Sequence, residues 1–154
     1  MVQLRLLACF AHPDDEAFTA SGVLAASTAR RVQVRLVCAT CGEEGDIRQP
    51  GVATRETLGQ VRHAELRRSC AVLGLQEPIM LGYRDSGWGD TPAQYHPNAL
   101  VQAPPCSDRL ASRCPGLTRG CASKGCHSNS CTCGSTSLLI WNRYSPACAA
   151  TARK

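Results

Sequence analysis

The sequence predicts an α/β fold: a parallel β-sheet with crossover helices, followed by an irregular Cys-rich tail. Three observations carry that expectation. Short apolar or β-branched runs alternate with longer helical stretches over the first 105 residues, the pattern of parallel strands joined by helices. Gly, Pro, Asp and Asn punctuate the junctions. The last 49 residues show neither a helical nor an alternating period of useful length.

The elements follow in order. Leu4 to Ala11 is an apolar run closed by a turn, a candidate buried strand. Ala17 to Ala29 is Ala-rich, carries Phe18, Val23 and Leu24, and follows three acids. Acids there suit the positive end of a helix dipole, and Gly22 weakens the helix without forbidding it. Val32 to Ala39 is β-branched and apolar, a second strand. Thr40 to Ala53 holds three Gly and a Pro and reads as a loop. Thr54 can cap a helix running to about Leu73, with Leu58, Val61, Leu66, Cys70 and Leu73 near one face and Gly74 as the stop. Ile79 to Leu81 is a short third strand, and Gly82 to Pro105 is loop-like. Three strands alone leave one sheet edge exposed.

Of the 154 residues, 44% are apolar and 19% charged, which fits one packed domain and argues against disorder throughout. No apolar run approaches the roughly 20 residues a membrane-spanning helix requires. The apolar start, Leu4 to Phe10, is cut off at once by His12, Asp14, Asp15 and Glu16, so no signal peptide is expected and the expected compartment is the cytoplasm.

These averages hide a division after Pro105. Residues 1–105 hold 10 Arg, no Lys and 11 acids, a net of −1; residues 106–154 hold 5 Arg, 2 Lys and only Asp108, a net of +6. Cysteine follows the same line, with 4 before the division and 7 after it, and no Glu follows Glu77. The expected organisation is a domain over 1–105 and a basic, Cys-rich tail over 106–154, disordered or out of frame. Arg outnumbers Lys 15 to 2, as in GC-rich coding, and the expected cause of the change is a frame shift near residue 105. Cys121, Cys126, Cys131 and Cys133 with His127 match no common zinc-finger spacing. An odd count of 11 Cys disfavours a disulfide framework. Nucleic acid is not an expected partner: the tail's charge is spread thinly, with only Trp141 and Tyr144 as aromatics.

Chemistry is expected beyond the carboxyl ends of the strands. The first strand runs into His12-Pro13-Asp14-Asp15, one imidazole and two carboxylates on a turn that proline stiffens. Positions i and i+3 of a turn can converge on one ion, which suits His12 and Asp15 as zinc ligands and leaves Asp14 to hold a water. The alternative is an acidic surface turn that caps the next helix. Cys9, Cys38 and Cys70 read as small core residues. Cys41 lies in the second loop as a loop residue, a thiol or an accessory ligand. His63 reads as exposed, and His96, before Pro97 in a loop, is the other histidine near this region and a further candidate ligand.

Ala11-His-Pro-Asp-Asp-Glu16 after an apolar strand resembles the signature of the LmbE-like/PIG-L family of zinc-dependent N-deacetylases. Thr40-Cys-Gly-Glu-Glu-Gly-Asp46 looks like its second loop, Arg62 and Glu65 like its R-x-x-E helix motif, and Leu81-Gly-Tyr-Arg-Asp-Ser-Gly87 like its third loop. The match runs from about Leu4 to Pro105. The resemblance implies a Rossmann-like fold and removal of an N-acetyl or related N-acyl group from an amino sugar conjugate, a small-molecule substrate. It implies His12 and Asp15 as zinc ligands, Asp14 as general base, and Arg62, Asp85 and Asp46 as substrate contacts. Arg62 has the alternative of a solvated helix residue paired with Glu65, and Asp85 that of a turn residue before Ser86-Gly87. The family's late H-P-D-H-type ligand motif has no counterpart here, and His127 stands in a different context. Three readings therefore stand: a metal-dependent deacetylase, a non-catalytic truncated remnant that binds sugar or metal, or a basic Cys-rich zinc-binding module fused to a degenerate domain. Oligomeric state is not legible.

Overall fold

The structure, a computed structural model, describes residues 4–103 and the backbone of residues 136–141. Its elements are β1 (Arg5–Phe10), α1 (Ser21–Ala29), β2 (Gln33–Cys38), α2 (Leu58–Val72), β3 (Ile79–Met80) and β4 (Thr136–Trp141). A five-residue π-helical turn, Glu16–Ala20, leads into α1, and two 3-10 turns, Pro92–Tyr95 and Leu100–Gln102, follow β3.

The predicted α/β architecture is present. β1 and β2 pair in parallel, with Arg5 opposite Gln33 and Phe10 opposite Cys38. β2 and β3 also pair in parallel, with Val37 opposite Ile79. The sheet order is β3-β2-β1-β4. The expectation of three strands with a bare edge and no regular element in the tail differs from the structure at one point. β4 pairs antiparallel with β1, placing Trp141 opposite Arg5 and Thr136 opposite Phe10. An edge strand carries a row of unpaired N–H and C=O groups, and a second extended segment satisfies them. The short apolar run Leu138–Trp141 lies in that segment. The rest of the tail, with the expected frame shift and the Cys121–Cys133 cluster, lies outside the described residues.

Period-2 alternation sorts the strands onto two faces. Leu6, Ala8 and Phe10 of β1 with Val34, Leu36 and Cys38 of β2 form the main core. Ala20, Leu24 of α1, and Leu66 and Cys70 of α2 pack against the same set, so both helices serve one face. The other face carries a smaller cluster, Leu7 and Val37 against Cys9, Ile79 and Leu81. Cys38 and Cys70 are buried and Cys9 half-buried, in line with a core role.

Boundaries moved for local reasons. α2 starts at Leu58, not Thr54, because Thr54 to Thr57 closes first as a turn, the Thr54 N–H donating to Thr57 Oγ1 at 2.8 Å. It ends at a Schellman motif: Gly74 takes φ +71°, its N–H donates to the Ala71 carbonyl, and the Leu75 N–H donates to the Cys70 carbonyl. All three parallel strands deliver loops at their carboxyl ends: 11–15 after β1, 39–57 after β2 and 81–91 after β3.

Candidate functional site

The loop after β1 is built by its own polar groups. The His12 N–H donates to Asp15 Oδ2 at 3.1 Å, closing the turn across Pro13. Asp14 adopts φ +96°, a left-handed conformation that strains any residue but glycine. Three hydrogen bonds hold it there. Its N–H donates to Glu16 Oε2 at 3.0 Å, and its carbonyl accepts from the N–H groups of Ala17 and Phe18. Glu16 is only 1% exposed. The result is a carboxylate, Asp14, that projects from the turn with its side chain 54% exposed.

The loop after β2 is stapled to β1. Thr40 is buried, its Oγ1 donating to the Ala11 carbonyl at 2.9 Å and accepting from the Gly42 N–H at 3.2 Å. Gly42 lies at φ +66°, and a Cβ there would overlap the Arg62 guanidinium. A Cβ on Gly45 would approach Arg62 Nη1 at 2.6 Å. These glycines open the space through which Arg62 of α2 reaches the turn. Its Nη1 donates to the Gly42 carbonyl at 2.8 Å; its Nη2 donates to the Pro13 carbonyl at 2.6 Å and to Asp14 Oδ2 at 2.9 Å. A guanidinium has five N–H donors, so these three bonds leave two unused among the described residues.

The loop after β3 supplies Asp85, whose side chain is 8% exposed. Its Oδ1 lies 3.3 Å from His12 Nε2 and accepts from the Gly87 N–H at 3.0 Å; its Oδ2 accepts from the Glu44 N–H at 3.3 Å. Glu43 Oε2 accepts from the Asp85 N–H at 3.1 Å, and Glu44 Oε1 accepts from Arg84 Nη2 at 2.6 Å. The second and third loops thus lock together around one carboxylate. The hydrogen bond to Asp85 raises the His12 pKa, against burial that lowers it, with the charges of Asp85 and Asp15 adding to the rise. Burial pushes Asp85 up, but the bonds from His12 and Gly87 outweigh it and hold the carboxyl below its ordinary value.

Four predicted residues therefore meet in one cluster, His12, Asp14, Arg62 and Asp85, with Asp15 beside His12. Asp46 is exposed in the second loop and makes no hydrogen bond to the cluster among the described residues. His63 is half-buried rather than exposed. His96 lines a separate recess with Glu44, Arg84 and Thr91, its Nδ1 accepting from the Asn98 N–H. Sequence reasoning passed over Thr40, Glu43 and Glu44 as individual residues. Their signal was the Thr and Glu-Glu pair inside a glycine-flanked loop at a strand end, where side chains must hold a segment that has no ladder bonds.

Metal chemistry can be tested on the donor set. His12 Nδ1 and Asp15 Oδ2 lie 3.8 Å apart, compatible with two ligands that each sit about 2.0–2.2 Å from one zinc ion. Asp85 lies on the opposite, Nε2, side of the ring and does not converge with them. No group of three metal-binding side chains occurs among the described residues. The pair fits half of a zinc site. The third protein donor that catalytic zinc carries has no candidate among the described residues, and His127 lies outside them.

Comparison with known proteins bears on the same segment. A family model described as "PIG-L: GlcNAc-PI de-N-acetylase" matches residues 7–104. The chain is 44% identical over 111 residues to a 1D-myo-inositol 2-acetamido-2-deoxy-alpha-D-glucopyranoside deacetylase of Nakamurella multipartita, covering 66% of this chain and 38% of that protein. It is 43% identical over 82 residues to a probable N-acetyl-alpha-D-glucosaminyl L-malate deacetylase 2 of Bacillus anthracis, covering 53% and 36%. Among solved structures, N,N'-diacetylchitobiose deacetylase of Pyrococcus horikoshii matches with 29% identity and a TM-score of 0.47, over 53% of this chain and 30% of that one. The chain spans less than two fifths of the length of these curated relatives.

Proposed function

The chain belongs to the PIG-L family, and from that premise we propose that its three strand-end loops form the reacting face of a metal-dependent N-deacetylase. The substrate class is a small N-acetylated amino sugar conjugate, of the kind named for the relatives. The observation that carries this reading is the juxtaposition of the His12–Asp15 donor pair with the exposed Asp14 carboxylate at the end of β1.

His12 Nδ1 and Asp15 Oδ2 are the protein donors toward zinc. Zinc held by these two residues would polarise an acyl oxygen and lower the pKa of a water to about 7. Asp14 takes the proton from the attacking water and delivers it to the departing nitrogen. The water oxygen bonds to the acyl carbon, the C–N bond breaks, and acetate and a free amine result. Arg62 keeps Asp14 in place and has two N–H donors left for sugar hydroxyls. Asp85 and, further out, Asp46 are the other proposed sugar contacts.

A second reading has its own observation, the missing third donor among the described residues. On that reading the chain binds zinc and sugar without turnover. The test uses the full chain with one equivalent of Zn²⁺ and an N-acetylglucosaminyl inositol, followed by amine release and by calorimetric binding. Amine release that falls at least 10²-fold in Asp14→Asn, the scale of lost acid–base catalysis, supports the enzyme. Binding without release supports the remnant. No zinc binding overturns both.

A further inference from the structure

Asp85 is a buried carboxylate beside His12 as well as a proposed sugar contact. Its surroundings say more. Both oxygens are held by backbone donors, Gly87 N–H on Oδ1 and Glu44 N–H on Oδ2, and its own N–H is held by Glu43. A carboxylate pinned in this way has little freedom to turn. Among the described residues, the one side chain its carboxylate faces is His12, at Nε2, 3.3 Å away. The other ring nitrogen, Nδ1, faces Asp15 Oδ2 at 3.8 Å. The two nitrogens of the ring thus meet two carboxylates on opposite sides, and the deacetylase reading assigns the Asp15 side to the metal.

We infer that Asp85 is a positioning residue for His12: it accepts the Nε2–H, fixes the ring orientation, and leaves the Nδ1 lone pair free toward Asp15. A neutral imidazole carries one N–H, and the hydrogen bond that captures this proton decides which nitrogen can ligate. The rigid carboxylate behind Nε2 makes that choice before any ion arrives. The Glu43 and Glu44 contacts extend the arrangement by fixing the carboxylate itself, which ties the second and third loops to a ring on the first. The metal side of this inference rests on the deacetylase reading; the tautomer does not.

The test is ¹⁵N NMR of the imidazole in the metal-free full chain at pH 9, with Asp85→Asn and Asp85→Ala beside the wild type and backbone spectra confirming that each is folded. His12 in the wild type is expected as the Nε2–H tautomer. In Asp85→Ala the population moves toward Nδ1–H, because Asp15 becomes the carboxylate left beside the ring. Asp85→Asn gives an intermediate ratio, since its single amide oxygen must serve acceptor roles that two carboxylate oxygens filled. Zn²⁺ affinity is expected to fall about 10–100-fold in Asp85→Ala, the usual loss when such a partner is removed. A wild-type ring in the Nδ1–H form, or a tautomer ratio unmoved in a folded Asp85→Ala, overturns the inference. If the wild type binds no zinc, the deacetylase reading fails, yet the tautomer measurement still decides this one.

Discussion

Arg62 Nη2 donates both to the Pro13 carbonyl, at 2.6 Å, and to Asp14 Oδ2, at 2.9 Å, so one guanidinium ties α2 to the turn behind β1. The side chain reaches there because Gly42 and Gly45 leave its path open. A comparison of glycines separates this role from backbone strain. Gly42 and Gly51 both have positive φ, but a Cβ on Gly51 meets nothing within 4 Å. Gly51→Ala should cost about 1–2 kcal/mol from φ alone. Gly42→Ala should cost roughly 1 kcal/mol or more beyond that, because the methyl group displaces Arg62. In an Arg62→Ala background the excess should vanish in a double-mutant cycle. Urea titrations showing equal losses at the two glycines would refute the packing argument.

The His12–Asp85 contact makes stability depend on pH with a definite sign. His12 has a raised folded pKa, so its contribution is fully present below its unfolded value of about 6.5 and is lost as pH rises through the higher folded value. Asp85 has a lowered folded pKa, so its contribution is present above about 3.9 and is lost as pH falls through its folded value. The stability difference between wild type and His12→Gln, measured by urea unfolding of the metal-free chain, should be largest between those limits. It should shrink on the alkaline side. A difference that grew above neutral pH would contradict the assignment.

Thiol reactivity should follow burial. Burial pushes the Cys70 thiol up to about 11 and raises Cys38 still further. Cys41 is half-buried, and burial followed by the charge of Glu43 raises it too. Timed iodoacetamide labelling at pH 8, mapped by mass spectrometry, should modify Cys41 before Cys38 and Cys70 in the folded chain. Early labelling of Cys38 would mean that the β1–β2 core opens readily.

α2 should be held by a single stripe. Leu66 is buried in the main core, whereas Val72 on the last turn is 87% exposed. Leu66→Ala should destabilise by about 2–5 kcal/mol through lost burial and a cavity. Val72→Ala should stay within about 0.5 kcal/mol. Matching urea midpoints for the two variants would show that α2 is not packed as described.

Much of this site was legible from local pattern. His12, Asp14 and Asp15 are neighbours in sequence on a turn, so their meeting needed no long-range knowledge. Arg62 was legible as a motif residue but not as a strut, because its three acceptors belong to loops 20 and 48–49 residues away. Asp46 shows the opposite case: it lies in the matched loop, yet that loop turns at Gly42 and Gly45 and leaves it outside the hydrogen-bonded cluster.

The sequence by itself determined the order β1-α1-β2-α2-β3, the loops at the carboxyl ends of those strands and the residue types available there. Hydrophobic period, turn residues and strand-end position are local properties, and they survive without knowledge of contacts. Only the tertiary structure decided that Asp85 stands behind His12 Nε2, that Arg62 threads between two glycines to Asp14, and that β4 takes the second edge of β1. Each of those depends on groups far apart in the chain being brought within hydrogen-bond distance. A sheet edge accepts any extended segment that satisfies its N–H and C=O groups, so composition cannot name the partner. A buried carboxylate takes its role from the donors that surround it, and those are set by how three loops pack together.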